Sequence, residues 1–244
     1  MTGRRVHTGV PGLDEMLCGG LLPNSLALVR GAPGTGKTSL ALQFLIRGAA
    51  EEGEPGLLIS FEEFPRSLYR DASSLGWDIK SLERQGRLHL MFTSPEVFLA
   101  GLETPESPID QLLREKNVQR LVLDTVSHFN RLAQDSRELR HVYTRVANAL
   151  RREGVTSMML AEEPRSLATR VDKGGLSFIV DTIIMLRYVE IESAIQRAIV
   201  VLKIRGSDHV KEIRRFEIGS GGLTVMDVFQ GRQGLLSGIP YQAR

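Results

Sequence analysis

A single cysteine, Cys18, stands in 244 residues, so no disulfide can form within the chain. Cysteine and histidine also lack the spacing of a zinc site, which excludes structural zinc from the reading. Aromatic residues make up 6% of the chain and include one tryptophan, too sparse a supply for the stacking platforms of a single-strand nucleic-acid binder. A formal charge of +2 adds no general drive toward nucleic acid or an anionic membrane. No apolar run approaches bilayer length, and the start Met1-Thr-Gly-Arg-Arg5 is followed by no signal-peptide core. These absences lead us to expect a cytoplasmic protein in a reducing compartment, with no membrane partner, no nucleic-acid partner, and Cys18 as a packed small residue.

What is present centres on Gly31-Ala-Pro-Gly-Thr-Gly-Lys-Thr38, which fits the phosphate-loop pattern GxxxxGK[ST] at every fixed position. Gly31, Gly34 and Gly36 let the backbone curl so that several amides surround phosphate oxygens. Lys37 adds a cation for the β and γ phosphates, and the Thr38 hydroxyl is placed to ligate Mg²⁺ at the start of the next helix. The setting agrees: Ser25–Val29 reads as a buried strand before the loop, and Ser39–Ile46 as a helix after it, continuing to about Ala50. A Gly-rich turn with no ligand would leave Lys37 and Thr38 unexplained.

Length and pattern set the fold class. Turn-rich residues 8–23, with a short helical segment, deliver the chain to the first strand. Further strands are expected at Gly56–Phe61, Leu88–Phe92, Arg120–Asp124 and Thr156–Ala161. Helices are expected at Pro65–Leu75, Ile109–Lys116 and Arg137–Glu153, the last with Leu139, Val142, Val146 and Leu150 as its apolar stripe. Residues 93–108, rich in Pro, Glu and Ser, read as a surface excursion. After residue 175 come strand candidates Ile179–Tyr188, Arg197–Arg205, Lys211–Ile218 and Leu223–Val228 without long helices between them. The expectation is one α/β domain over residues 1–244, a mainly parallel central sheet flanked by helices, with antiparallel C-terminal strands.

Phosphoryl transfer needs a carboxylate near Mg²⁺ and another beside the attacking group. Asp124 closes an apolar strand in the Walker B arrangement, its alternative being a helix cap or turn former. Glu62 and Glu63 follow the second strand; Glu62 is our general base, against a reading of the pair as surface charge. Lys203, Arg205, Ser207, His209 and Lys211 alternate, so an extended chain would line them on one face, with Gly206 as a place to bend. That row faces either solvent or an anion, such as the nucleotide of an adjacent subunit. Arginines 137, 140, 145, 151 and 152 lie mostly off the apolar stripe of their helix, as a solvated or subunit-contact face or, less readily, a nucleic-acid surface.

Thr8-Gly-Val-Pro-Gly-Leu-Asp14, the phosphate loop, Phe61-Glu-Glu63, Ser74-Leu-Gly-Trp-Asp78, Leu123-Asp-Thr125 and the Lys203–Lys211 segment together resemble the RecA-type ATPase domain of the KaiC circadian-clock family, in order over nearly the whole chain. The loop is common to many ATPases; the FEE, GWD and KxRGSxHxK elements together are specific. The resemblance implies a RecA-like P-loop NTPase, with ATP and Mg²⁺ held at the subunit interfaces of a homo-oligomeric, hexameric ring. It implies ATP contacts from Gly34, Thr35, Gly36, Lys37, Thr38 and Ser39, and from Ser74 and Trp77 near base and ribose. Lys203, Ile204, Arg205, Ser207, His209 and Lys211 would act on the neighbour's nucleotide. Glu62, with Glu63 beside it, would be the catalytic carboxylate, and Thr38 and Asp124 the metal ligands.

KaiC carries two such domains and this chain has one. Residues 177–191 resemble the second, which phosphorylates itself on an adjacent Ser-Thr pair; here Ser177 holds the first position and Phe178 replaces the second. A two-site cycle is therefore not expected, while Ser177 stays open as a single phosphate acceptor. The reading is a ring ATPase with a regulatory or signalling role, weighed against a RadA-like DNA-binding ATPase and a nucleotide-controlled partner-binding module.

Overall fold

A strand covered by helices on both sides must be apolar on both faces, and the five apolar runs meet that condition. The computed structural model describes residues 3–104, 106–163, 173–230, 232–235 and 241–242. In it the runs form β1 (Leu26–Gly31), β2 (Gly56–Ser60), β3 (Leu88–Phe92), β4 (Arg120–Asp124) and β5 (Thr156–Glu162). β6 (Thr182–Ile191) lies parallel to β1, and β7 (Ala194–Ile204), β8 (Arg214–Gly219) and β9 (Gly222–Val228) continue antiparallel. The sheet has nine strands in the order β3-β2-β4-β5-β1-β6-β7-β8-β9. The expected fold class, a mainly parallel sheet with antiparallel C-terminal strands, is what the chain adopts.

Alternation along β1 divides the core. Ala27 and Val29 face one layer, where they join Leu40, Phe44 and Leu45 of α2 (Lys37–Arg47) and residues of α3 (Pro65–Ser74) and α4 (Ile79–Arg84). Leu26 and Leu28 face the other, with α5 (Pro95–Glu103), α6 (Pro108–Glu115) and the stripe Leu139, Val142, Val146 and Leu150 of α7 (Ser136–Arg152). The carboxyl ends of β1, β2, β4 and β5 open at one edge of the sheet, where open α/β sheets place their ligands.

Four expectations are corrected. Cys18, expected to be a packed small residue, is exposed and sits at φ 53°. Most of the supposed excursion at 93–108 is helix: the Ser94 side chain accepts from the Val97 amide, Pro95 opens α5, and Phe98 and Leu99 are buried. Ile179, expected to begin a strand, instead closes the short helix α8 (Leu176–Ile179), and the strand starts at Thr182. The alternating row 203–211 is not extended. β7 ends at Ile204, Gly206 turns the chain at φ 73°, and β8 begins only at Arg214. α4 was not foreseen; Asp78 caps it by accepting from the Ser81 amide.

The helix after the phosphate loop widens into a π turn over Gly48–Glu52, opposite a fully buried Arg120 at the start of β4. Arg120 pairs with Glu52 at 2.7 Å and Glu54 at 2.6 Å, donates to the carbonyls of His7 and Phe44, and lies 4.8 Å from the Phe44 ring centroid. Gly48 is required there, because a Cβ would sit 2.3 Å from Arg120 Nε. Arg120→Met, which removes the buried cation from Glu52 and Glu54 and leaves them only their outer partners Arg47, His7 and Arg4, is expected to lower the unfolding free energy by about 3–5 kcal/mol in urea titration; a loss below about 1 kcal/mol would contradict this account.

Candidate active site

The loop between β1 and α2 is closed from within. Thr35 is buried and donates through Oγ1 to the Ala32 carbonyl at 2.8 Å. A Cβ on Gly31 would meet that hydroxyl oxygen at 2.6 Å, so the first glycine of the motif is a packing requirement. Gly36, at φ 104°, hands the chain to α2, and the Tyr188 hydroxyl of β6 donates to the Gly34 carbonyl. Ser39 lies half-buried in the first turn of α2.

A cavity of about 220 Å³ opens on this loop, lined by Gly34, Lys37, Thr38, Glu62, Glu63, Asp124 and Glu162 among others. Lys37 is buried and donates through Nζ to the carbonyls of Gly31 at 2.9 Å and Ala32 at 3.1 Å. Burial pushes its pKa down, and the charges of Glu162, Asp124, Glu62 and Glu163 oppose that shift. The Thr38 hydroxyl donates to Asp124 Oδ2 at 2.8 Å. Burial raises the Asp124 pKa to about 6, against the pull of that hydrogen bond. The loop hydroxyl and the strand-end carboxylate, 86 residues apart in sequence, are thus in contact.

Glu62 and Glu63 are set by a serine: Ser60 Oγ accepts from the Glu63 amide at 2.9 Å and the Glu62 amide at 3.4 Å. Glu62 Oε2 lies 3.2 Å from His128 Nε2, on the 3₁₀ turn after β4. Glu63 is the more enclosed of the pair. Burial, then the charges of Asp71 and Glu62, raise its pKa, and its Oε2 is buried with no hydrogen-bond partner among the described residues. Hard oxygen donors from Thr38 and Asp124, with an unsatisfied carboxylate oxygen nearby, suit Mg²⁺.

Other expected positions lie elsewhere. Trp77 lines a second cavity of about 520 Å³ with Arg66, Tyr69, Arg70 and Lys80, whereas Ser74 donates to its own helix at the Asp71 carbonyl and does not line it. None of the residues 203–211 lines the phosphate-loop cavity. Register explains why. Lys203 pairs with Ile183, which is level with Leu28, and Ile204 pairs with Thr182, level with Ala27, so the row begins toward the amino edge of the sheet. Lys203 Nζ donates to the carbonyls of Ser177 and Val180, and Arg205 donates to that of Phe178 and lies 3.7 Å from Asp181. Ser207 Oγ accepts from Arg5 at 2.8 Å, the His209 amide donates to Asp208 Oδ1 at 2.8 Å, and Lys211 Nζ lies 4.0 Å from the same oxygen. Ile204 packs on the core, and Ser177 is half-buried in α8.

His128 and two further contributors escaped the sequence reading. Glu162 ends β5 as Glu62 follows β2, and the repeated strand-then-two-glutamates signature, Ala161-Glu-Glu163 beside Phe61-Glu-Glu63, was the available signal. Gln43 of α2 bonds the Gly9 carbonyl and both backbone groups of Leu223, tying the loop helix to β9; no local pattern announces it.

A family model described as "ATPase: KaiC" matches residues 6–228. The circadian clock oscillator protein KaiC of Parathermosynechococcus lividus is 37% identical over 238 residues, covering 97% of this chain and 43% of that protein. The circadian clock protein KaiC3 of a Synechocystis species is 32% identical, covering 97% and 46%. The chain therefore spans less than half the length of these relatives. Among solved structures, a KaiC-like protein from the hyperthermophilic archaeon Pyrococcus horikoshii OT3 superposes with a TM-score of 0.80 at 32% identity, covering 91% of this chain and 99% of that one.

A carboxyl whose pKa rises on folding holds its proton more tightly in the folded state, so ionising it subtracts stability. In EDTA and without nucleotide, Asp124→Asn is expected to gain on the order of 1–3 kcal/mol at pH 7.5, a gain that shrinks as pH falls from about 6 to 4. Urea titrations at the two ends of that range measure it, and a gain that does not change with pH would contradict the assignment.

Proposed function

The chain belongs to the KaiC family of ATPases, and from that premise we propose that it hydrolyses ATP with Mg²⁺ as a single KaiC-like domain, in a ring of identical subunits that we read as hexameric. The observation that carries this reading is the cavity where Lys37, the Thr38–Asp124 pair and the glutamates after β2 meet. Lys37 would leave the loop carbonyls for the β and γ phosphates. Thr38 and Asp124 would hold Mg²⁺, which neutralises phosphate charge when bound. Glu62 takes the proton of the attacking water as its oxygen bonds to the γ phosphorus and the bridging bond to ADP breaks. His128 orients Glu62, and Glu63 is its enclosed companion. Trp77 and Ser74 remain our assignments toward base and ribose.

The site is incomplete in one chain. Four carboxylates face a single lysine, and ATP adds further negative charge. Lys203 and Arg205, with Ile204, Ser207, His209 and Lys211 around them, lie toward the other edge of the sheet and serve a nucleotide held by a neighbouring copy. Ser177, on the segment whose carbonyls hold Lys203, is then the one acceptor position for autophosphorylation and gives the ring a regulatory output. A DNA-binding reading has less support: Arg145 is paired with Glu103, and Arg151 with Asp181. The reading also places the protein in the cytoplasm; no helix among the described residues is long and apolar enough to cross a membrane.

With γ-labelled ATP and Mg²⁺, wild type is expected to release phosphate, Lys37→Ala none, and Glu62→Gln about 10²- to 10⁴-fold less at similar nucleotide affinity. No release above the Lys37→Ala background would overturn the enzyme reading. Label retained on the chain and lost in Ser177→Ala is the expected sign of autophosphorylation; free phosphate with no retained label removes that activity and leaves hydrolysis standing.

A further inference from the structure

Six of the nine phenylalanines are buried or half-buried; the other three, Phe64, Phe92 and Phe178, are 63%, 41% and 67% exposed. Two of these stack on each other. The rings of Phe64 and Phe92 lie 4.2 Å apart at the carboxyl ends of β2 and β3, directly after Glu62 and Glu63, with Val97 also exposed nearby in sequence. Phe64 moreover occupies the N-cap of α3, where a short polar side chain would serve the helix better, and it makes no side-chain cap bond. An aromatic kept in water at a cap position contributes little to the fold.

Phe178 lies on the opposite edge of the sheet, in α8, with Leu202 exposed on the neighbouring strand β7. It is ringed by cations. Arg205 donates to its carbonyl, Lys203 donates to the carbonyls of Ser177 and Val180 on either side, and Arg140 borders it across Gly175, where a Cβ would lie 3.3 Å from Arg140 Nη1 and 3.4 Å from Phe178 Cδ2. One apolar knob framed in positive charge and one aromatic platform framed in carboxylates thus sit at opposite edges of the same chain. Such a pair is complementary only between copies, head to tail.

We propose that Phe178 of one copy seats on the Phe64–Phe92 stack of the next, and that this apolar anchor sets the register in which Arg205 and Lys203 reach the neighbour's phosphate-loop cavity. The spacing matches on both sides: Arg205 touches Phe178, and Glu62, which lines the cavity, is two residues from Phe64. The inference rests on the shared-site reading above, and it gives position 178 an interface role in place of a phosphate acceptor.

The test uses the full chain with Mg²⁺ and a slowly hydrolysed ATP analogue, in light scattering after size exclusion. Phe178→Glu and Phe64→Glu are each expected to weaken self-association at least tenfold while melting as wild type does. Mixing the two restores one intact contact, so a heterodimer should form and, with ATP, release phosphate. Adding Lys37→Ala to the Phe178→Glu chain should abolish that recovered activity, whereas adding it to the Phe64→Glu chain should not. Either variant assembling as wild type, or a folded mixture that stays monomeric, would overturn the anchor. Association is read without hydrolysis, so an inactive wild type that still assembles through these residues would fail the ATPase reading alone.

Discussion

Charge held out of water at the carboxyl edge of the sheet is the constraint on which the rest depends. Lys37, Asp124 and Glu63 are all withdrawn from solvent, and burial moves each pKa toward neutrality. Inside one chain the imbalance is only partly relieved: Lys37 leans on two backbone carbonyls, Thr38 on Asp124, and Glu63 leaves an oxygen unpartnered among the described residues. A cavity with that excess of carboxylate calls for added cations before it can accept a polyphosphate. On the function proposed, the metal would be one source and another copy's basic turn a second.

The opposite treatment of charge is visible around Arg120. There a fully buried guanidinium meets two carboxylates and two carbonyls, and its donors are spoken for. That network joins the N-terminal segment, the π turn after α2 and the start of β4, so the loop helix is fixed at its far end while its first turn faces the phosphate-loop cavity. Gln43 secures the same helix midway, against Gly9 and Leu223. The phosphate loop thus rides on a helix whose position is set by buried polar contacts on three sides, which is the preorganisation that phosphoryl transfer requires.

How much of this was legible follows from the range of each interaction. The phosphate loop, the strands β1 to β5 and the stripe of α7 were readable because a fixed motif or a short period determines them. Thr38 and Asp124 were read separately from a motif and a strand end, and the fold brings them together. α5 was missed because Pro95 and Glu96 read as loop composition, although Ser94-Pro95 is also a cap followed by a first-turn proline. The alternating row failed because one glycine at positive φ outweighs alternation. His128, Gln43 and Arg120 act across 34 to 180 residues, and nothing local marks them.

The central claim is that a hydrolytic site built on one chain is completed by a basic turn from another. The most direct measurement is specific ATPase activity, phosphate released per chain, over a hundredfold range of protein concentration at saturating Mg²⁺ and ATP. The account predicts that activity per chain rises with concentration and levels off where light scattering shows assembly to be complete. Activity per chain that stays constant while the protein passes from monomer to assembly would contradict it.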